Sequence, residues 1–173
     1  MLHSQSVLGT NLIVNGNAES GPAGTATTLA ANIPGWTTTG DANVLPYGLT
    51  GLVLLTDPAP PDHGFQYFVA GGPHGTNAVL TQSIDVSSAA STINGGSVKY
   101  VASAYLGSGV VPDSSEAPAQ VAVAFRNASG QTLSTATLGP LTSPVLGMSL
   151  QQQQGLVPAG NRNRHHNRNP ELV

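Results

Sequence analysis

Cysteine is absent from this 173-residue chain, which excludes disulfides, thiolate nucleophiles and cysteine-bound metals. That absence suits the cytosol and equally suits many secreted bacterial proteins, so it leaves the compartment open. Charge is scarce as well, with Asp, Glu, Lys and Arg making up only 8% of the residues. Before residue 161 the only basic residues are Lys99 and Arg126, against seven acids: Glu19, Asp41, Asp57, Asp62, Asp85, Asp113 and Glu116. The body of the protein therefore offers no cationic footprint for nucleic acid or an anionic membrane surface. No apolar run approaches the length of a transmembrane helix, so membrane insertion is not expected. The opening MLHSQSVLGTNLIV has neither a basic n-region nor a long apolar h-region. Either export information lies upstream of Met1 or the protein stays inside. The polar, lysine-poor, Thr- and Asn-rich composition favours an extracellular or cell-surface setting.

What is abundant is Gly, Ser, Thr, Asn, Ala and Val, a mixture of turn formers and short side chains that points to many short strands. NLIV (11–14) is the first strand signal, stopped by the turn-rich NGNAESGPAG. Two short strands are expected around Gly40–Asp41 in IPGWTTTGDANVLPYG, and another in the aromatic GFQYFVAGG (64–72). In NAVLTQSIDV (77–86), Ala78, Leu80, Ile84 and Val86 share one face with Gln82, an amide expected to be buried and bonded to loop backbone. SSAASTIN (87–94) suits a single helical turn. GSVKYVASAYLG (96–107) alternates, and AQVAVAFRNASGQTLSTATLG (119–139) reads as a hairpin turning at NASG. Strands at regular spacing with glycine-bearing turns imply an all-β antiparallel jelly roll or sandwich. No repeat of fixed period appears. The expected layout is an N-terminal extension (1–10), one β-sandwich domain (11–160) and a basic tail (161–173).

Catalytic signatures are missing. No Gly-x-Ser-x-Gly elbow occurs, and the glycine-rich LGSGVV and GGPHG lack phosphate-loop spacing. Asp62, His63 and His74 lie in nearby loops and form the best candidate for a metal or catalytic cluster, with solvated loop histidines as the plainer reading. The acids are spread mostly one per loop, which does not suit a glycosidase pair. An enzyme is not expected. Sugar rings stack their C–H faces on aromatic side chains while Asn, Asp and Gln bond the hydroxyls. Trp36 and Tyr47 flank a loop carrying Asp41 and Asn43, so Trp36, Asp41 and Tyr47 form the candidate ligand face. The alternative is that Trp36, the chain's single tryptophan, anchors the core.

The ordered set NLIVNGNAESG, IPGW, GFQYFVAGG, AVLTQSIDV and VAVAFRNASGQTL resembles the galactose-binding-like jelly rolls of secreted bacterial proteins. The related DUF642-type plant cell-wall domains share the opening motif. The likeness spans about residues 11–160. It implies a non-catalytic module, often part of a larger secreted protein, with a polysaccharide or glycan as the usual partner. It also implies a structural calcium ion, for which Glu19, in the matching position of NGNAESG, is the ligand carried over. The alternative is a structural or adhesion sandwich with no small ligand.

The likeness stops at NRNRHHNRNPELV (161–173), where similar chains continue with an alternating Thr/Val strand. Asn is AAY, His CAY and Arg often CGN. Read one base later, such codons permit Thr-Ala-Thr-Val-Thr-Ile-Thr-Ala-Thr-Arg, an alternating β-strand. The expectation is that the tail is out of frame. A solvated basic tail and a metal site at His165 and His166 are the rivals, and a zinc site would need further ligands.

Overall fold

Turn formers cut the chain into short strands, and every strand pairing in the computed structural model is antiparallel. The structure describes residues 8–70, 78–107, 118–141 and 147–160. His74, most of the 1–10 extension and the whole 161–173 tail with His165 and His166 lie outside them. β1 (Thr37–Thr39) pairs with β4 (Val79–Thr81), and β2 (Ala42–Pro46) with β3 (Gln66–Ala70). β5 (Lys99–Gly107) pairs with β8 (Met148–Leu156), and β6 (Ala119–Arg126) with β7 (Thr132–Leu141). Between β4 and β5, a 3-10 turn at Ser87–Ala89 runs into α1, Ala90–Asn94, where a helical turn was expected. Among the described residues the fold is all-β apart from this segment. Among the described residues the pairings form two-stranded ladders and no larger sheet.

The β6–β7 hairpin follows its turn chemistry. Asn127 Oδ1 accepts from the N–H groups of Ser129 and Gln131, at 3.0 and 2.9 Å. Gly130 takes the left-handed conformation, φ 79°, that its lack of a Cβ permits. Alternation along β6 sets Val121, Val123 and Phe125 on its half-buried side. Phe125 meets Tyr100 of β5 at a ring-centroid distance of 4.9 Å, so the two long ladders pack on one another. Gln153 of β8 adds a polar tie by accepting from the Thr137 N–H of β7 at 3.1 Å.

β1 and β2 lie on either side of Gly40–Asp41 as expected, but each joins a different ladder. β2 is buried on both faces. Val44 packs with Ala18, Ile33, Trp36, Phe68 and Leu80 on one side. Leu45, on the other side, packs with Val53, Tyr67, Tyr47, Val69 and Met148. A short strand buried on both faces is apolar along its length, which ANVLP follows except at Asn43, whose amide is hydrogen-bonded.

NLIV is not a strand in the structure. Side chains take the backbone groups that a ladder would use: Ile13 N–H donates to Asn11 Oδ1 at 3.1 Å, and Val14 N–H donates to Gln82 Oε1 at 2.9 Å. Asn15 then turns the chain at φ 51°. Likewise β4 stops at Thr81, short of the full 77–86 alternation.

Candidate functional site

The opening motifs bond to one another. Asn15 Oδ1 accepts from Ser20 N–H at 2.9 Å, and its Nδ2 donates to Pro34 O at 3.0 Å. Trp36 Nε1 donates to Asn15 O at 3.2 Å. Gln82 Nε2 donates to Val14 O and Gly35 O, at 3.0 and 2.7 Å, so this half-buried amide is bonded to loop backbone as its position suggested. NLIVNGN, IPGW and the glutamine of AVLTQS thus form one polar knot whose work is structural.

Trp36, Asp41 and Tyr47 do not converge on one face. Trp36 is half-buried, meets Phe68 edge-on with centroids 5.5 Å apart, and packs with the Val44 side of β2. Asp41 is buried, 4% exposed, at the entrance to β2. Tyr47 packs on the opposite side, with Leu45. Asn43 is 1% exposed and bonds the 24–30 loop: its Oδ1 accepts from Ala30 N–H at 2.8 Å, and its Nδ2 donates to Thr25 O and Thr28 O at 3.1 and 3.3 Å.

A different constellation forms at the end of β2–β3. Tyr47 N–H donates to Phe65 O at 3.0 Å, extending the ladder by one pair. The Tyr47 ring lies 4.3 Å from that of His63 and 4.7 Å from that of Tyr67. His63 Nδ1 donates to Gly64 O at 2.8 Å. Glu19 Oε1 accepts from Gln66 N–H at 2.8 Å, and its carboxylate lies so close over Gly64 that a Cβ there would collide with it. Burial, then Tyr67, then the Glu19 carboxylate push the Tyr47 hydroxyl above its usual pKa. Burial does the same to Tyr67, partly offset by the Val53 N–H that its oxygen accepts. Phe65, between these groups in the chain, is 83% exposed. An exposed phenyl ring can stack a ring of C–H groups, and neighbouring polar side chains can bond the hydroxyls around it.

Phe65 was legible only as part of a strand, because a single chain gives no sign of which aromatic at a strand end stays outside. Asp62, next to His63, is exposed. Among the described residues no three His, Cys, Asp or Glu side chains gather into a group fit for a metal. Calcium takes about six to eight oxygens. Glu19 brings one carboxylate, which accepts from the Gln66 N–H.

Comparison with protein-family models, curated proteins and solved structures gives no match. Among the described residues no helix is long and apolar enough to cross a membrane.

Proposed function

We propose that the chain is a non-catalytic carbohydrate-binding module of the galactose-binding-like jelly-roll kind, working outside the cell, with the β2–β3 rim as its ligand platform. One observation carries the reading: Phe65, whose carbonyl accepts from the Tyr47 N–H at the end of the β2–β3 ladder, is 83% exposed. Large exposed aromatics are costly to leave in water and mark binding surfaces when polar groups surround them. The antiparallel ladders, the ordered opening motifs and the absence of recognised catalytic motifs in the sequence support the same reading. Neutral glycans suit the rim because the Glu19 carboxylate is already partly engaged by the Gln66 N–H.

Affinity electrophoresis through gels carrying neutral polysaccharides tests the proposal. Retardation by at least one of them, lost in Phe65→Ala, is the expected result. Free migration through a broad panel favours the alternative of an adhesion or structural domain.

A further inference from the structure

Among the described residues, β8 and β5 form the longest unbroken ladder, pairing from Lys99 with Leu156 to Gly107 with Met148 without a register shift. One pair further on, Val157 N–H donates to Val98 O at 2.8 Å. Antiparallel pairs alternate between exchanging both main-chain hydrogen bonds and exchanging none. The N–H and C=O groups of Met148, Leu150, Gln152, Gln154 and Leu156 therefore point away from β5. Met148 bears this out, since its N–H donates to Pro58 O at 2.6 Å. On that side Leu150, Gln152, Gln154 and Leu156 make no main-chain hydrogen bond to any described residue.

The β6–β7 hairpin covers one face of this ladder and leaves its edge open. β6 meets β5 through Phe125 and Tyr100, and β7 meets β8 through the Thr137 N–H on Gln153. On the opposite face Val101, Leu150 and Leu156 are exposed. Open edges are usually blunted by charge, proline or a bulge. The β6–β7 ladder has register shifts, Arg126 and Pro140. β8 has none of these devices.

We propose that β8 is a self-association surface, to which a second copy of this chain adds its own β8, antiparallel across a two-fold axis. Strand addition of this kind joins two β5–β8 ladders into one four-stranded sheet. The free main-chain groups fix the register. Using all four of them sets Leu150 against the partner's Leu156 and Gln152 against the partner's Gln154, with Gln153 on the axis. Leucine then meets leucine and amide meets amide on the exposed face. The main chains exchange about eight hydrogen bonds, two for each hydrogen-bonded pair.

Charge permits this contact. Lys99 is the one charged residue of β5 and β8. In the joined sheet its two copies lie on the outer strands, about 14 Å or more apart, which exceeds the screening length at physiological salt. Area sets the strength. Residues 150–156 offer an edge about 24 Å long and about 10 Å thick, or about 240 Å² on each partner. A stable dimer buries about 800 Å² on each side, so this one is reversible.

Sedimentation velocity and amide exchange of the 173-residue protein, each at about 10 µM and about 1 mM, test the proposal by mass action. Expected are a monomer–dimer equilibrium and, at the higher concentration, exchange slowed about threefold or more at Leu150, Gln152 and Gln154. Gln152→Lys/Gln154→Lys, at two exposed side chains, sets lysine against lysine across the axis. It should be monomeric at both concentrations with an unchanged urea midpoint, and so should Gln152→Glu/Gln154→Glu. An equal mixture of the two variants should associate again, at least as strongly as the original chain. An original chain that is monomeric at both concentrations overturns the proposal, as does a dimer that both variants keep. So does a mixture that stays monomeric, or protection at Val101, Ser103 and Tyr105 on the β5 edge instead.

Discussion

Asn43→Ala is expected to destabilise the protein by about 2–4 kcal/mol. The side chain is 1% exposed and makes three hydrogen bonds that tie β2 to the 24–30 loop, through Ala30 N–H, Thr25 O and Thr28 O. Its Oδ1 also accepts from Val44 N–H at 2.9 Å. A typical intramolecular hydrogen bond contributes about 1 kcal/mol net, and a buried group left unpaired costs about 1–3 kcal/mol. Water reaching the partly exposed loop restores some of the lost bonds, which places the sum toward the lower part of the range that four bonds would give. For a domain of this size about 1 kcal/mol moves the melting temperature by about 2–4 °C, so a fall of about 4–16 °C is expected. Asn43→Asp keeps the acceptor but turns a carboxylate oxygen toward two carbonyls, and should do no better than alanine. Gly24→Ala attacks the same network, because a Cβ there would collide with Asn43 Oδ1. Urea melts measure the loss, and hydrogen exchange at Ala30 locates it. A loss below about 0.5 kcal/mol, with Ala30 still protected, would refute the reasoning.

Gln82→Ala removes three bonds to Val14 and Gly35. It should cost about 1–3 kcal/mol in urea melts and speed exchange at Val14. Tyr47 and Tyr67 are held above their ordinary pKa of 10.0 chiefly by burial. For an acid raised in the folded state, the stabilising contribution is complete below the unfolded pKa and lost as pH rises through the folded value. Melting temperature should therefore fall above about pH 10, with two of the four tyrosines ionising late in absorbance at 295 nm. Calcium at millimolar concentration should leave the melting temperature unchanged, since Glu19 already accepts from the Gln66 N–H and, among the described residues, joins no group of three His, Cys, Asp or Glu side chains; a rise reversed by chelator would contradict this.

Local pattern made several elements legible. The β6–β7 hairpin, the core of β5, the helical turn after Val86 and the backbone-bonded Gln82 all follow from alternation and turn chemistry within a few residues. Two things were not legible for physical reasons. β8 carries Gln151–Gln154, which shows no apolar alternation; its strand character comes from pairing with β5, a partner about fifty residues away in sequence. NLIV has high strand propensity, but side-chain amides from Asn11 and Gln82 take its backbone groups. At the candidate site, proximity in sequence suggested that Trp36 and Tyr47 act together. Val44 and Leu45 face opposite sides of β2, and Trp36 packs with the first while Tyr47 packs with the second, an outcome that depends on which layers cover each face.

Binding of neutral polysaccharide by the wild-type chain and Phe65→Ala, compared in the same gels, tests the proposed function most directly. Phe65 is so exposed that its loss should leave the urea midpoint unchanged. Retardation of the wild type with free migration of an equally stable Phe65→Ala is the expected result. Identical migration of the two proteins, whether both retarded or both free, would contradict a ligand platform at the β2–β3 rim.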